Sequence, residues 1–490
     1  MKKYLVTGVT MARRAVGYGL LGAMLALLFI FIFALGRRDD LELWHEVHLD
    51  AEFDKDGEVT DFAGYLALEE RLFQQLDDEV YAKTGEGAAD SVQRYQRGSM
   101  MDPSTWERNW NRSFVLEAEE PKAGVLMLHG MSDSPYSVRY LADSFHKAGA
   151  TVLALRIPGH GTAPTGLIRT KWQDMSAAVT IAMKHLKNEL GDKPLYLLGY
   201  SNGGALSVIY VLDALDDASL PQVNGVMLMS PEIGVSPAAA LAVWQGRIGR
   251  WFSQEKLAWN SIGIEYDPFK YRSFAVNAGD QAYRITLEIE KRMNDLAEDN
   301  ALVGFPPVLT FQSAVDSTVS VEALISRLFA KLPQGGHELV LFDINRLSLV
   351  NQVLANDPKD KLRHLLSADE NYRLSVVANR VENGVVMREL VLKSRAAGHG
   401  ELVETPMNVQ WPESVYSLSH IALPFPSHDT LYGKGGEDGK TMTLGNLALY
   451  GERGTVHLPP GDMLRQRWNP FYDFMELRML EFANLAPTQD

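Results

Sequence analysis

The stretch LYLLGYSNGGALSVIY, residues 195–210, sets a serine between glycines where an apolar strand meets a helix-forming segment. Glycines at such a corner can serve packing, with Ser201 as a helix cap. Small residues two positions before and after a serine also let the chain turn sharply, which exposes the hydroxyl and frees the next backbone N–H. The second interpretation predicts that Ser201 is a nucleophile, and it requires an acid and a histidine elsewhere in the chain.

The composition is that of a large folded protein. The chain has 490 residues, 46% of them hydrophobic, which is enough to bury a sizeable core. Its formal net charge of −15 argues against nucleic acid as a partner, because phosphate binding needs a basic face. The lack of cysteine excludes disulfides and thiolate metal sites.

Residues 15–36 contain no charged side chain and are long enough to cross a hydrocarbon core of about 30 Å. Four basic residues precede this stretch and two follow it, which favours a cytoplasmic N-terminus. We therefore predict a cytoplasmic segment at residues 1–14, a single transmembrane anchor at 15–36 in the inner (cytoplasmic) membrane, and a periplasmic (extracytoplasmic) location for the rest. The alternative is a cleaved signal peptide, since residues 34–36, Ala-Leu-Gly, resemble a cleavage site.

Residues 37–112 are acidic and carry apolar side chains at helical spacings, so we expect a helical segment that packs on the main domain or acts as a stalk. From residue 113, short apolar strands alternate with helices. This predicts a doubly wound α/β domain with a mostly parallel sheet over residues 113–490. The expected strands are Ser113–Ala118, Gly124–Leu128, Thr151–Leu155, Leu195–Leu198, Gly225–Met229, Val308–Gln312 and His337–Phe342. The expected helices lie near Ser137–Lys147, Trp172–Leu190, Gly203–Ala214 and Val321–Lys331.

Two segments interrupt this alternation. Residues 232–304 are rich in aromatic side chains and are predicted to form a helical cap inserted over the sheet. Residues 345–415 follow the last expected core strand and form a second insertion, with a hairpin at a Glu-Asn-Gly turn. The cap aromatics could line an acyl-binding pocket or simply pack the cap onto the core. They are Trp244, Trp251, Trp259, Tyr266, Phe269 and Tyr271.

Three motifs resemble α/β-hydrolases of the serine aminopeptidase S33 and monoacylglycerol lipase type. They are LMLHGMSDSPYS at residues 126–137, RIPGHGTAP at 156–164 and LLGYSNGG at 197–204. The resemblance covers residues 120 to 345, approximately. It implies the α/β-hydrolase fold, with Ser201 on its nucleophile elbow. The motifs are jointly specific for the fold and the nucleophile, and much less so for the substrate.

The resemblance also implies an oxyanion hole beside the first of these motifs. In this fold the backbone N–H that follows a His-Gly pair usually donates to the oxyanion, so Met131 is the expected donor, together with Asn202. His129 precedes the serine, contrary to the order of serine, acid and histidine in this fold, and we interpret it as structural. We interpret His160 as part of a local turn.

The acid is expected after a later strand and before the histidine. The stretch PPVLTFQSAVDSTVS, residues 306–320, meets this condition, because an apolar strand ends just before Asp316. The resemblance implies an acid in a similar Asp-x-x-Val context, so Asp316 is the candidate that would orient the histidine. The alternative is a helix N-cap, in which the carboxylate bonds free backbone N–H groups.

The histidine is less easily identified, because none follows directly after the last expected core strand. His420 lies in VYSLSHIALPF, which is similar to the Ser-x-His context of the family, and it is our candidate for the base. His428 is the next alternative. The remaining ones are His364, in a charged helical run, His399 and His457.

Together these features predict a membrane-anchored serine hydrolase that cleaves a lipid-like or otherwise hydrophobic carboxylic ester through an acyl-enzyme on Ser201. Neither a metal nor an organic cofactor is expected. Two alternatives stay open: an aminopeptidase-like amide hydrolase, and an inactive membrane-tethered binding or scaffold protein on the same fold. A serine at the elbow argues against dehalogenase or epoxide-hydrolase chemistry, for which this fold uses aspartate.

Overall fold

The computed structural model describes most of the chain. The described residues are 16–26, 36, 38–88, 90–234, 255–354, 357–368, 370–398, 400–435, 443–446, 461 and 465–486. The predicted transmembrane segment therefore lies partly outside them, and its described residues 16–26 are helical. Within the described residues, no helix has the length and apolar character needed to cross a bilayer. The anchor stays a prediction.

The strands form one large sheet and one small one. In chain order they are β1 Phe114–Leu116, β2 Ala123–Leu128, β3 Ala150–Leu155, β4 Leu195–Tyr200, β5 Gly225–Met229, β6 Trp259–Ser261, β7 Phe274–Ala275, β8 Val308–Ser313, β9 Glu338–Phe342, β10 Arg373–Glu382, β11 Val385–Arg395 and β12 Leu402–Gln410. Strands β6 and β7 pair with each other, and the other ten follow the order β1-β3-β2-β4-β5-β8-β9-β10-β11-β12. Neighbours from β3 to β10 are parallel, whereas β1, β11 and β12 pair antiparallel. The predicted mostly parallel α/β sheet is confirmed.

Helices cover both faces of this sheet, so the central strands are buried on each side. The α-helices whose full extent lies within the described residues are α1 Leu43–Glu46, α2 Phe62–Leu76, α3 Ala82–Thr84, α4 Arg139–Lys147, α5 Gly166–Arg169, α6 Trp172–Leu190, α7 Asn202–Asp216, α8 Val276–Glu298, α9 Val321–Arg327, α10 Lys359–Ser367 and α11 Tyr472–Phe482. Leu126 and Leu128 of β2 share a core with α6, α7 and α8. The alternate residues Val125 and Met127 share the opposite core with α4 and α11.

The segment that precedes the sheet packs on it and does not form a stalk. Arg156, directly after β3, is buried and pairs with two carboxylates of this segment. Its Nη2 lies 3.0 Å from Glu52 Oε1 and its Nε lies 3.1 Å from Glu69 Oε2. The hydroxyl of Tyr65 donates to the backbone carbonyl of Arg156. Because a buried guanidinium needs its partners, these acidic residues are part of the domain's interior.

Residues 345–415 extend the core sheet. Strand β10 pairs in parallel with β9, and β10 and β11 form the predicted hairpin, with Asn383 and Gly384 at positive φ in its turn. The expectation that residues 337–342 form the last core strand is therefore wrong. Helix α10 lies between β9 and β10 and makes the crossover that a parallel pair requires. The alternation of apolar and polar residues predicts that two neighbouring strands pair as a hairpin. It does not predict which distant strand of the sheet that hairpin joins.

The cap region is described in part. Residues 235–254, which include Trp244 and Trp251, lie outside the described residues. The aromatic ring of Phe269 stacks on Tyr136 with ring centroids 4.3 Å apart, and the backbone N–H of Thr162 donates to the hydroxyl of Tyr271. These contacts agree with aromatics that pack the region onto the core. The four described cap aromatics, all buried, are Trp259, Tyr266, Phe269 and Tyr271.

Candidate active site

Ser201 lies on a strained turn between β4 and α7, with φ 53° and ψ −115°. A non-glycine residue at positive φ costs on the order of 1–3 kcal/mol and persists where its surroundings impose it. The flanking glycines make the turn possible. A Cβ atom on Gly199 would overlap the backbone of Gly203, and one on Gly203 would overlap the carbonyl oxygen of Leu128. The glycine spacing thus lets α7 begin directly against the ends of β2 and β4.

The three residues predicted as nucleophile, base and acid lie together at the carboxyl edge of the sheet. His420 Nε2 is 3.1 Å from Ser201 Oγ, and His420 Nδ1 is 3.0 Å from Asp316 Oδ2. Ser201 is 8% exposed and His420 is 5% exposed, so both are shielded from bulk water. A histidine bonded in this way can take a proton from the serine through one nitrogen while the carboxylate orients the other.

The carboxylate of Asp316 is held on both oxygens. Oδ1 accepts the backbone N–H groups of Thr318 and Val319 at 2.8 and 3.1 Å, while Oδ2 faces His420. Burial acts to raise the pKa of Asp316, but the facing imidazole and these N–H donors outweigh it and hold the pKa below its usual value. The helix-cap alternative is wrong for Asp316, because the side chain of Ser320 caps α9 by accepting the N–H of Ala323, and Asp316 bonds the turn that precedes the helix.

The other candidate histidines lie elsewhere or outside the described residues. The ring of His428 packs edge-on against Tyr140, with centroids 5.2 Å apart. His364 lies in the last turn of α10, and no hydrogen bond joins it to Ser201 within the described residues. His399 and His457 are not among the described residues. Of the described candidates, the structure brings only His420 to Ser201.

Of the two predicted oxyanion donors, Asn202 adjoins the nucleophile in the chain, and Met131 belongs to the loop after β2 that lies beside the elbow. Asn202 follows Ser201 as the first residue of α7, where a backbone N–H has no partner inside the helix. Gly130 lies beside the elbow, since a Cβ built on it would be 3.3 Å from the Cβ of Ser201. Met131 follows Gly130, and the next carbonyl, of Ser132, accepts the N–H of Tyr271 at 2.8 Å. Within the described residues, the N–H groups of Met131 and Asn202 have no acceptor.

His129 and His160 are bound by backbone groups close to this loop. His129 Nε2 accepts the N–H of Ile157 at 3.0 Å, so its Nδ1 carries the proton and donates to the carbonyl of Gly130. Burial lowers the pKa of His160 to about 4, and its Nδ1 lies 3.0 Å from the carbonyl of Pro158. Both rings are neutral and agree with a structural role.

Two residues that contact His420 or the backbone of Ser201 are not identified by sequence motifs. The ring of Tyr200 lies 5.5 Å from that of His420, and its hydroxyl donates to the carbonyl of His420 at 3.5 Å. The backbone N–H of Glu232 donates to the carbonyl of Ser201 at 3.0 Å. Position is the signal that could have found them: Tyr200 precedes the serine, and Glu232 follows the end of the strand next to β4.

Residues 119–345 match the family model described as serine aminopeptidase, S33. A thermostable monoacylglycerol lipase of Bacillus sp. (strain H-257) is 31% identical over 134 residues, which cover 27% of this chain and 50% of that protein. The phospholipase YtpA of Bacillus subtilis (strain 168) is 28% identical over 124 residues, 25% of this chain and 45% of the relative. The resemblance to α/β-hydrolases of the S33 and monoacylglycerol lipase type is thus confirmed.

The matched regions span about half the length of these two curated relatives. Among solved structures, a soluble variant of monoglyceride lipase from Saccharomyces cerevisiae is 14% identical. The alignment covers 47% of this chain and 81% of that one, with a TM-score of 0.37.

Proposed function

We propose that this chain, with an α/β-hydrolase region of the S33 and monoacylglycerol lipase type, is a membrane-anchored serine hydrolase of hydrophobic carboxylic esters. One observation carries the proposal: His420 Nε2 lies 3.1 Å from Ser201 Oγ, and its other nitrogen lies 3.0 Å from Asp316. Nucleophile, base and orienting acid are therefore within hydrogen-bonding reach of one another.

The reaction proceeds in two acyl transfers. His420 Nε2 takes the proton of Ser201 as Oγ attacks the ester carbonyl, and the N–H groups of Met131 and Asn202 hold the resulting oxyanion. Loss of one such donor typically costs about 2.7–4 kcal/mol of transition-state stabilisation. The carbon–oxygen bond to the alcohol then breaks, and the alcohol leaves with the proton from His420. Water, deprotonated by His420, attacks the acyl-enzyme and releases the acid and Ser201.

The names of the relatives favour an ester over an amide as substrate. One is called a monoacylglycerol lipase and the other a phospholipase, and both names denote cleavage of lipid esters. The family description, serine aminopeptidase, keeps amide hydrolysis as the second candidate. A panel of acyl esters of increasing chain length, thioesters and aminoacyl amides separates the two. Cleavage of the amides alone would replace the esterase proposal with a peptidase.

A fluorophosphonate probe tests the nucleophile directly. Labelling of the wild-type chain and its loss in Ser201→Ala and His420→Ala would support the mechanism. His428→Ala is the matched control and should label normally, since His428 packs on Tyr140 away from the serine. A wild-type chain that does not react would favour the inactive scaffold instead.

The proposed anchor places the hydrolase region beside a lipid surface. It rests on residues 15–36, an uncharged apolar stretch of sufficient length for a bilayer. Extraction of membranes with carbonate and with detergent tests the anchor, because an integral protein is released only by detergent. Protease accessibility in spheroplasts tests whether residues 37–490 lie on the extracytoplasmic side. Release by carbonate would overturn the anchor and leave the hydrolase proposal intact.

A further inference from the structure

A cavity of about 650 Å³ lies against the proposed acid and base. Asp316 and His420 line it together with residues of other segments, among them Ser414 and Arg465. Its volume is within the range of roughly 300–1,000 Å³ that is usual for ligand pockets. Ser201 is not one of its lining residues, so the cavity adjoins the triad through the acid and the base.

Arg465 belongs to a short segment that contacts the loops of both the acid and the base. Its Nη2 donates to Thr318 Oγ1 at 3.3 Å, and the backbone N–H of Thr318 in turn donates to the carboxylate of Asp316. The carbonyl of the next residue, Gln466, accepts the hydroxyl of Ser419, which directly precedes the histidine. These contacts place Arg465 in the wall of the cavity, next to the triad.

Arg465 is also the one charged side chain of the cavity lining that has no ion partner among the described residues. The other charged groups that line the cavity form ion pairs: Asp316 with His420, Glu322 with Lys361, and Asp357 with Arg346. A guanidinium carries five N–H donors, and the bond to Thr318 uses one of them. The cavity thus holds a half-buried positive charge with several free donors.

Three serine hydroxyls of the lining add further donors. Within the described part of the chain, the side chains of Ser317, Ser414 and Ser417 make no hydrogen bond. A phosphate group matches such a set, because it carries negative charge and three acceptor oxygens, and arginine binds it through paired N–H groups. A neutral alcohol such as glycerol would leave the charge of Arg465 unmatched.

We propose that Arg465 is a specificity-determining residue that binds a phosphate group on the alcohol part of the ester. This inference rests on the proposed esterase function. In that reaction His420 returns its proton to the leaving alcohol, so the alcohol part lies beside His420, where the cavity begins. The substrate class is then an acyl ester of a phosphorylated alcohol, such as a monoacylglycerol phosphate.

The test compares two substrates with the same short acyl chain, a monoacylglycerol phosphate and the unphosphorylated monoacylglycerol, both kept below their critical micelle concentrations. We would measure kcat/KM for each in the full-length wild type, Arg465→Met and Arg465→Lys. The ratio of kcat/KM with to without phosphate should fall by about tenfold or more in Arg465→Met, as expected for a lost hydrogen bond to a charged group. It should fall less in Arg465→Lys, which keeps the charge and loses the paired donors.

The ratio separates recognition from a structural role. A substitution that merely disturbs the loops of the triad would lower kcat/KM for both substrates alike and leave the ratio unchanged. Arg388→Met, at an exposed arginine of β11, is the matched control, and its ratio should equal that of the wild type.

Inorganic phosphate tests whether the same donors hold a free anion instead of the substrate. It should inhibit hydrolysis of the unphosphorylated ester competitively in the wild type and more weakly in Arg465→Met. Inhibition that depends on Arg465, together with an unchanged substrate ratio, would assign the cavity to free phosphate and overturn its role in substrate binding.

An unchanged ratio in Arg465→Met, or a wild type that cleaves only the unphosphorylated ester, would overturn the role of Arg465. Fluorophosphonate labelling of the same samples distinguishes this failure from that of the esterase proposal. A labelled wild type with an unchanged ratio in the variant overturns the Arg465 inference only. A wild type that neither labels nor hydrolyses any ester overturns both.

Discussion

His420 Nε2 lies 3.1 Å from Ser201 Oγ although 219 positions of chain separate the two residues. The chain reaches His420 by way of β10, β11 and β12, which extend the sheet beyond β9. The segment just before His420 is then held against the end of β9 by Asn345. The Nδ2 of Asn345 donates to the carbonyl of Val415, and its backbone N–H donates to the carbonyl of Tyr416. His420 thus comes late in the sequence because three further strands of the sheet, β10 to β12, lie between β9 and the loop that carries it.

Asp316→Asn should lower kcat/KM for an ester substrate by about 10⁴-fold, the typical effect of losing the orienting carboxylate. The amide can still accept the N–H groups of Thr318 and Val319, so the loop should keep its shape. The introduced amide would, however, stabilise the wrong tautomer of His420, and it would not stabilise the charged imidazolium. Steady-state kinetics measure the loss, and circular dichroism checks the fold.

The exposed residue Asp299, which directly follows α8, supplies the control, because Asp299→Asn removes one solvent-exposed carboxylate. Its kinetics should match the wild type. Near-normal activity of a folded Asp316→Asn would exclude Asp316 as the orienting acid.

Gly203→Ala should destabilise the fold by about 3 kcal/mol or more and abolish fluorophosphonate labelling. The added Cβ would overlap the carbonyl oxygen of Leu128, so either α7 or β2 must move away from the elbow. Urea unfolding measures the stability. Gly263→Ala is the matched control, because a Cβ there meets only ordinary contacts with Arg272. Equal stability of the two variants would mean that the elbow tolerates a looser turn.

Local patterns carried much of the fold prediction. The apolar runs of β2 to β5, β8 and β9 are short and bounded by turns, and a strand buried on both faces requires such a sequence. The motif around Ser201 predicted a strand, a turn and a helix, and the structure has β4, the strained serine and α7 in that order. In each case the residues that determine the element lie within about 20 positions of one another in the sequence.

Pairings between distant segments could not be predicted in the same way. The hairpin of β10 and β11 was expected, but its parallel pairing with β9 depends on a crossover that no local pattern encodes. Arg156 follows β3 within the PGHG region, and nothing near it in the chain indicates that Glu52 and Glu69 are its partners. The free carboxyl of Glu232 is likewise visible only from the burial of its surroundings.

Arg156→Met should lower the free energy of unfolding by about 3–5 kcal/mol, because it leaves the carboxylates of Glu52 and Glu69 without their buried counter-charge. Glu69 is the more sensitive partner, since burial raises its pKa and Arg156 acts against that rise. Urea unfolding followed by tryptophan fluorescence measures the change. The triple variant with Glu52→Gln and Glu69→Gln should recover much of the loss. If it is no more stable than the single variant, the guanidinium matters through packing and not through charge.

Glu232→Gln should remove a pH dependence of stability that the wild type shows. Burial raises the pKa of Glu232 from 4.5 to about 7, so between these values the folded state keeps a proton that the unfolded chain has released. Stability therefore falls as pH rises through this window, by about 3 kcal/mol in all, and levels off above it. Asp133, whose pKa burial raises to about 6, contributes the same sign in both proteins and cancels in their difference. Urea unfolding at about pH 5 and about pH 8 should thus show the Gln variant gaining on the wild type at the higher pH. A constant difference between the two conditions would mean that the carboxyl already has a polar partner in solution.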